Sequence, residues 1–445
     1  MSPSTGAPEV GALAPFSLPA VERTTLAEGL SVALVPSGSI PKTYVRLVLA
    51  IGTGSEDSDE TWLTRLIGDY LKEGAGDLDS TALADSVARM GGRLNVGVEE
   101  DTTTISASVL SEFAPDLVRL LATVAREPKF PESELERLRA DLLRRLDLAK
   151  SQPGTLAASA FRWALYGDHP YGRLLASPEL IAGFTADAVR ATFEAHASPQ
   201  TSSLYVAGLF DRAAVLDAAG AAFGGWTAPA QPKRAAASAA SARAIHLVHR
   251  PGAEQSTLSI GLPVPDPGSE DYVALSVTNA LLGGSFYSRI TLNIREDKGY
   301  TYSPRSQVTA HPGDAYWAQL ADVTTNVTGA SMHEIFAEID RLRAEPAAAE
   351  ELAGIQNYVA GTYVLRHATP GGILDQLAFL DLHGLDEGWA AAYPDRVLAL
   401  TTADVQRIAA DYLRPDEMTI AIVGDSDAIA EEIAPYGEVT DVTST

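Results

Sequence analysis

The sequence predicts an α+β protein of two homologous α/β-sandwich halves, each a mainly antiparallel sheet packed with helices, joined by a linker. Three observations lead there. First, the chain repeats itself: Phe184, Thr185, Val189, Pro199 and Gly208 are matched by Leu400, Thr401, Val405, Pro415 and Gly424, each pair 216 residues apart. Each copy reads as a Thr-capped amphipathic helix, a proline-marked turn and a short apolar strand (SSLYVAG, MTIAIVG) ended by glycine. Second, WTAPAQPKRAAASAASARA (226–244) is rich in Pro, Ala and Ser without apolar periodicity. It marks a linker between two separately packed parts, 1–225 and 245–445. Third, strand-like and helix-like patterns come in clusters and do not alternate, the signature of α+β layers.

In chain order, MSPSTGAPEVGALAPFSLPA reads as a flexible leader, lacking the basic n-region and continuous apolar h-region of an export signal. LSVALVP (30–36) and TYVRLVLAI (43–51) are Val/Leu-rich strands. Apolar spacing predicts helices over Thr61–Glu73 and Ser80–Met90, with Gly74 and Gly91 in the capping position. The strand TTISASVL (103–110) precedes helices over Ser111–Ala125 and Pro131–Lys150. After the linker the scheme recurs: strands IHLVHR (245–250) and STLSIGLPV (256–264), helices Asp271–Leu282 and Ser285–Glu296, then strands through YTYSPRSQVTA (300–310).

Composition narrows the function. Thirty-three basic against fifty-eight acidic side chains give a net charge of −25, which argues against a nucleic-acid partner. The charge serves solubility and would also steer neutral or basic peptides. No apolar run reaches the ~20 residues of a membrane helix. With no cysteine, disulfides, thiolate catalysis and Cys-held metals are excluded. The compartment stays open between the periplasm, if an export signal has been removed, and the cytoplasm. Of eight histidines only His246 and His249 are close in sequence, and strand geometry points them to opposite faces. No Walker A segment or G-x-S-x-G elbow is present.

Four segments carry more specific information: GTGSEDSDETWLTRLIGDYLKEGA (52–75), MGGRLNVGVEEDTTTISAS (90–108), the stretch 166–208 opening YGDHPYG, and LLGGSFYSRITLNIREDKGYTYS (281–303). In order and spacing, from about Leu30 to Gly424, they resemble the pitrilysin/insulinase family of zinc peptidases. That family includes mitochondrial processing peptidase and the core proteins of respiratory complex III. The resemblance implies an H-x-x-E-H zinc helix in the first segment, where two imidazoles hold the metal and a glutamate is general base. Here Arg65 and Asp69 stand for the histidines and Gly68 for the base, while the region of the third ligand, Arg144–Leu146, has no carboxylate. A guanidinium offers no lone pair to zinc. The i, i+4 spacing of Arg65 and Asp69 suggests a surface ion pair, with a contact to a partner chain as the alternative.

The last segment is intact. Gly283-Gly284-Ser285 is expected to open a helix with Arg295 in its last turn, Gly299 to end it, and Tyr302 to follow on a strand. The resemblance implies that Arg295 and Tyr302 bind the scissile region of a peptide and stabilise its tetrahedral intermediate, with Gly283 and Gly284 near the substrate. Read without the family, Arg295 complements a helix C-terminus and Tyr302 is a core tyrosine. Asn95 matches an asparagine on the strand that lies along bound peptide, although Val96 and Val98 replace the usual small residues and strand packing is the competing reading. His169, in the HPYG turn, reads as a locally bonded loop residue. The implied function is the non-metal subunit of a two-chain zinc endopeptidase, with no cofactor of its own and Zn²⁺ in a homologous H-x-x-E-H partner. The alternative is an inert structural or peptide-binding subunit like the complex III core proteins.

Overall fold

The computed structural model describes residues 16–227 and 236–442, so most of the leader and the middle of the linker lie outside the described residues. The first half contributes β1 (Glu22–Thr25), β2 (Ser31–Pro36), β3 (Lys42–Leu49), a two-strand ribbon of β4 (Gly74–Ala75) and β5 (Leu78–Asp79), β6 (Asn95–Val98), β7 (Thr103–Leu110) and β8 (Ser203–Gly208). The second contributes β9 (Ala244–His249), β10 (Gln255–Pro263), β11 (Arg305–His311), β12 (Asp314–Thr324), β13 (Thr419–Gly424) and β14 (Glu438–Asp441). They build two six-stranded sheets, ordered β1-β2-β8-β3-β7-β6 and β14-β9-β13-β10-β12-β11. Apart from the outer strands β1 and β14 the orders correspond. Pairing is antiparallel except β2 with β8, and β9 with β13 and β14. The α+β class and the paired halves are those expected.

The repeated unit is realised at its predicted offset. Helices Ala186–His196 and Thr402–Tyr412 are capped by the side chains of Thr185 and Thr401, and a turn of 3-10 helix at Pro199 and Pro415 leads into β8 and β13. In the second copy Asp404 reciprocates with the Thr401 backbone, completing a capping box.

The halves are not packed separately. Alternation along a strand sends neighbouring residues to opposite faces, and here both faces are apolar. Val32 and Leu34 of β2 enter the core formed with the first half's own helices, whereas Ala33 and Val35 face Ile373, Leu374, Leu377 and Leu380. Those four lie on the helix Pro370–His383, which the second half lends to the first sheet. Reciprocally, the first half's helix Pro153–Tyr166 lays Ala157, Ala160 and Phe161 on Val248, Ala421 and Val423 of the second sheet. The linker joins this contact at its described C-terminal end, where the Ala240 amide donates to the Leu165 carbonyl. At its start, Trp226 is buried against Phe223 in the first core.

Several element boundaries differ from expectation. The first helix is shorter, Leu63–Tyr70, because Gly74 pairs with Asp79 in the small ribbon and does not cap the helix. The expected helix Asp271–Leu282 is Tyr272–Asn279 followed by a π-helical turn, Ala280–Gly284. Gly283 and Gly284 thus close that turn and do not open the next helix, which starts only at Arg289 and becomes π-helical over Leu292–Asp297. Tyr302 sits in the loop before β11, not on a strand.

Candidate functional site

Two clusters contain the residues singled out by sequence. The first surrounds the helix Leu63–Tyr70. Its start is unusual: Trp62, the N-cap, is the one non-glycine residue with positive φ (78°) among the described residues. The buried Glu56 carboxylate holds that turn by accepting from the amides of Trp62 (2.9 Å) and Thr64 (2.8 Å). Burial pushes the Glu56 carboxyl up to about 7, against the pull of these two donors. The Trp62 indole N–H donates to the Leu174 carbonyl at 2.9 Å, anchoring the turn to the 166–208 stretch.

On this helix the three positions that the sequence resemblance gives to the metal site part company. Arg65 and Asp69 do not pair with each other. Asp69 is the partner of Arg145, which comes from the third-ligand region on the helix Leu135–Ser151, and of Lys72 at 3.0 Å. Arg65 instead lies over the Trp62 ring, 5.1 Å from its centroid. The nearer i+3 lysine and a longer-reaching arginine outcompete the i−4 arginine, whose guanidinium is drawn over the indole. Gly68 faces β6, where an added Cβ would come within 2.4 Å of Val98 Cγ2. The base position is therefore filled by a valine methyl. An ion pair bridges two of the positions that the resemblance gives to metal ligands, and a third carries a guanidinium. These residues do not fit zinc.

Asn95 opens β6, the outer strand of the first sheet, and its exposed side chain donates to the Arg93 carbonyl (3.2 Å). Val96, one residue on, packs against the first core. At the far end of the β6–β7 hairpin, Glu100 and Asp101 meet the second half. His311, at the end of β11 and almost fully buried, places Nδ1 3.3 Å from Glu100 and 3.7 Å from Asp101. Its ring stacks on Tyr171 at 3.8 Å, and the Tyr171 hydroxyl donates to Asp101 at 2.6 Å. Arg162 completes the group by donating to Glu100 and to the Tyr171 carbonyl. His169 accepts from the Tyr171 amide through Nδ1 (3.2 Å), as a local loop bond.

The second cluster is built on the π-helical segments. Such widened turns displace side chains from the regular helical register. Here Arg295 lies between two rings, 4.4 Å from Phe286 and 5.2 Å from Tyr302, with Glu296 at 3.2 Å. Tyr302 and Tyr287 are strongly exposed, at 81% and 77%, so the stack faces outward. Gly283 points the other way. It is buried, and a Cβ there would meet Ser306 and Gln319 at 2.6 Å, so close packing on β11 and β12 explains it. Gly284 is exposed but abuts Asn279. The two clusters share no hydrogen bond, ion pair or ring contact among the described residues.

Elsewhere, His249, Asp425 and Asp427 bring donor atoms within 4.8 Å of one another, a grouping not foreseen from sequence because the aspartates come from the start of the helix that follows β13. Two of the three are engaged: Asp425 accepts from the amides of Gly252 and Asp427, and His249 Nδ1 pairs with Ser426. No helix among the described residues is long and apolar enough to cross a membrane.

This architecture has relatives. Residues 31–179 match the family model described as "Insulinase (Peptidase family M16)", and residues 183–359 match "Peptidase M16 inactive domain". An uncharacterized zinc protease of Streptomyces coelicolor is 23% identical over 421 residues, covering 92% of this chain and 91% of that protein. One from Bacillus subtilis is 22% identical, covering 78% and 84%. Among solved structures, a protease from Helicobacter pylori superposes with a TM-score of 0.85 at 18% identity, covering 92% of this chain and all of that one. The peptidase M16 inactive domain from Pseudomonas fluorescens gives 0.82 at 23%, covering 91% and 98%. A chain of complex III from Candida albicans gives 0.77 at 16%, covering 92% and 97%. With two models of one family matched in succession along the paired sheets, the chain belongs to the insulinase (M16) peptidase family.

Proposed function

We propose that this chain is the non-metal subunit of a two-chain zinc endopeptidase, closing a peptide chamber and supplying Arg295 and Tyr302 to the peptide. The observation that carries this reading is an asymmetry. The metal positions hold Arg65, Gly68, Asp69 and Arg145, joined by the Asp69–Arg145 ion pair, while Arg295 and Tyr302 remain stacked and outward-facing. A guanidinium fork and a phenol can together donate to a peptide carbonyl oxygen and hold the charge that grows on it. Metal chemistry belongs to the H-x-x-E-H partner in this reading. The outer edge of β6, from Asn95, has no strand beside it among the described residues, and an extended peptide can add along it.

A second reading, an inert structural subunit, draws on the Phe286–Arg295–Tyr302 stack, which already gives Arg295 a local occupation. Reconstitution separates the two. Alone, the chain should hydrolyse no peptide, zinc added or not. Mixed with a homologous H-x-x-E-H chain from its source organism it should form a near 1:1 active complex. In that complex Arg295→Ala should lower kcat by about 10- to 1000-fold, the effect of losing one transition-state donor. Unchanged turnover by the Arg295→Ala complex would favour the structural reading.

A further inference from the structure

The helix Leu63–Tyr70 borders a cleft of about 430 Å³ between it, the helix Leu135–Ser151 and the start of the helix Pro153–Tyr166. Arg65, Arg145 and Thr155 supply its polar wall, and Trp62, Leu142 and Leu174 are among its apolar residues. Its two guanidinium groups are in unequal positions. Arg145 is matched by Asp69. Arg65 makes no hydrogen bond and no ion pair among the described residues, and its Nε is sealed from solvent without an acceptor. The carboxylate that acts on it most strongly, Glu56, spends both oxygens on the amides of Trp62 and Thr64.

A half-buried guanidinium without an acceptor is costly, because desolvation is not repaid by a bond. Burial lowers Arg65 from its usual range, Glu56 opposes that shift, and the like charge of Arg145 adds to it. The chain as a whole carries −25, yet the lining of the cleft holds two guanidinium groups, Arg65 and Arg145, and no carboxylate. Carboxylates stand outside that lining: Asp69 is taken by Arg145, and Glu56, Glu99 and Glu100 act on Arg65 from beyond the cleft wall. The terminal nitrogens of Arg65, not sealed as Nε is, are the ones an acceptor from outside can reach, and that planar pair matches a carboxylate in two parallel bonds. The apolar wall asks that this carboxylate arrive beside an aliphatic group.

We propose that the cleft at the former metal positions is a carboxylate receptor, in which Arg65 grips the carboxylate of a peptide carrying an apolar residue next to it, flanked by Arg145 and Thr155. Loss of zinc has then changed the sign of the ligand and kept the cleft. The inference rests on the peptide-holding part of the proposed function and not on hydrolysis. It is tested on this chain without a partner, so failure to reconstitute a peptidase leaves it standing, and its own failure leaves Arg295 untouched.

Calorimetric titration with three N-acetylated peptides decides it: alanyl-leucine as free acid, alanyl-leucine amide, and leucyl-glutamic acid with its C-terminal carboxyl amidated. The free acid should bind at least about tenfold more tightly than the plain amide, the worth of one charged hydrogen bond. Arg65→Gln should abolish that preference, and Arg65→Lys should restore part of it by keeping the charge without the fork. Binding of the glutamyl amide at the level of the free acid shows that the cleft takes a carboxylate from either source. Binding at the level of the plain amide assigns the carboxylate to the C-terminus. Equal binding of acid and amide, no binding of either, or an undiminished preference in Arg65→Gln with native circular dichroism overturns the proposal.

Discussion

Glu56 sets the geometry of the turn that delivers Arg65, and it does so at an electrostatic cost. Its two amide bonds stabilise the left-handed Trp62 turn, a conformation that a large aromatic residue rarely takes. Burial nevertheless raises the carboxyl to about 7, so between its unfolded value near 4.5 and that point the native state holds a proton that the unfolded chain releases. Where the native state binds more protons, stability falls as pH rises. The contribution of Glu56 is thus most favourable below about 4.5, is lost progressively up to about 7, and is flat beyond. Glu56→Gln removes the titration. Urea unfolding at pH 5 and pH 8 should show the variant gaining on the parent as pH increases; a stability difference independent of pH would contradict the assigned environment.

At the scale of elements, the helix Leu63–Tyr70 shows how packing against a neighbouring strand dictates a residue. Gly68 is there because Val98 of β6 occupies its side-chain space. Gly68→Ala should cost about 1–3 kcal/mol, the usual penalty for overpacking a tight contact. Val98→Ala in the same chain should recover most of it, read as a coupling in a double-mutant cycle by chemical denaturation. Additive losses would place the strain elsewhere. The sequence disclosed the identities at 65, 68 and 69 but not their contacts. An i, i+4 pair is only one option for Asp69 when Arg145 arrives from a helix 76 positions away in sequence. The π-helical turns were hidden for a similar reason, since ALLGG and LNIRED carry residues that suit a regular helix. The repeated unit was legible because threonine caps, prolines and terminal glycines are local signals. Its counterpart went unread: Pro153 and Gly167 bracket one exchanged helix, and Pro370 and Gly384 bracket the other at the same internal spacing. That match was available, but no local pattern says which sheet a helix covers.

At the scale of the molecule, the exchanged helices bind the halves into one body across their sheet faces, and the hairpin tips clasp them at one end. Ile373, Leu374, Leu377 and Leu380 are each at most 3% exposed on the first sheet. Burial of such side chains is worth roughly 1.5–3 kcal/mol apiece. A further tie runs through Arg23, which pairs with Asp381 at 2.9 Å and Glu387 at 2.6 Å. Expressed alone, residues 1–235 would expose Ala33, Val35, Tyr205 and Ala207 as one apolar face, and the second half would expose Val248, Ala421 and Val423. Faces of this kind recruit a partner or aggregate. Each half by itself should therefore bind a hydrophobic dye or self-associate, and co-expression of the two should return a soluble 1:1 complex. His311→Ala introduced into that split pair should weaken it, because Glu100 and Asp101 lose the buried imidazole between the hairpin tips. Sedimentation of the separate and mixed halves reads both outcomes. Two soluble, monomeric halves that ignore each other would show that the sheet faces do not depend on the exchange, whereas a complex indifferent to His311 would confine the linkage to the helices.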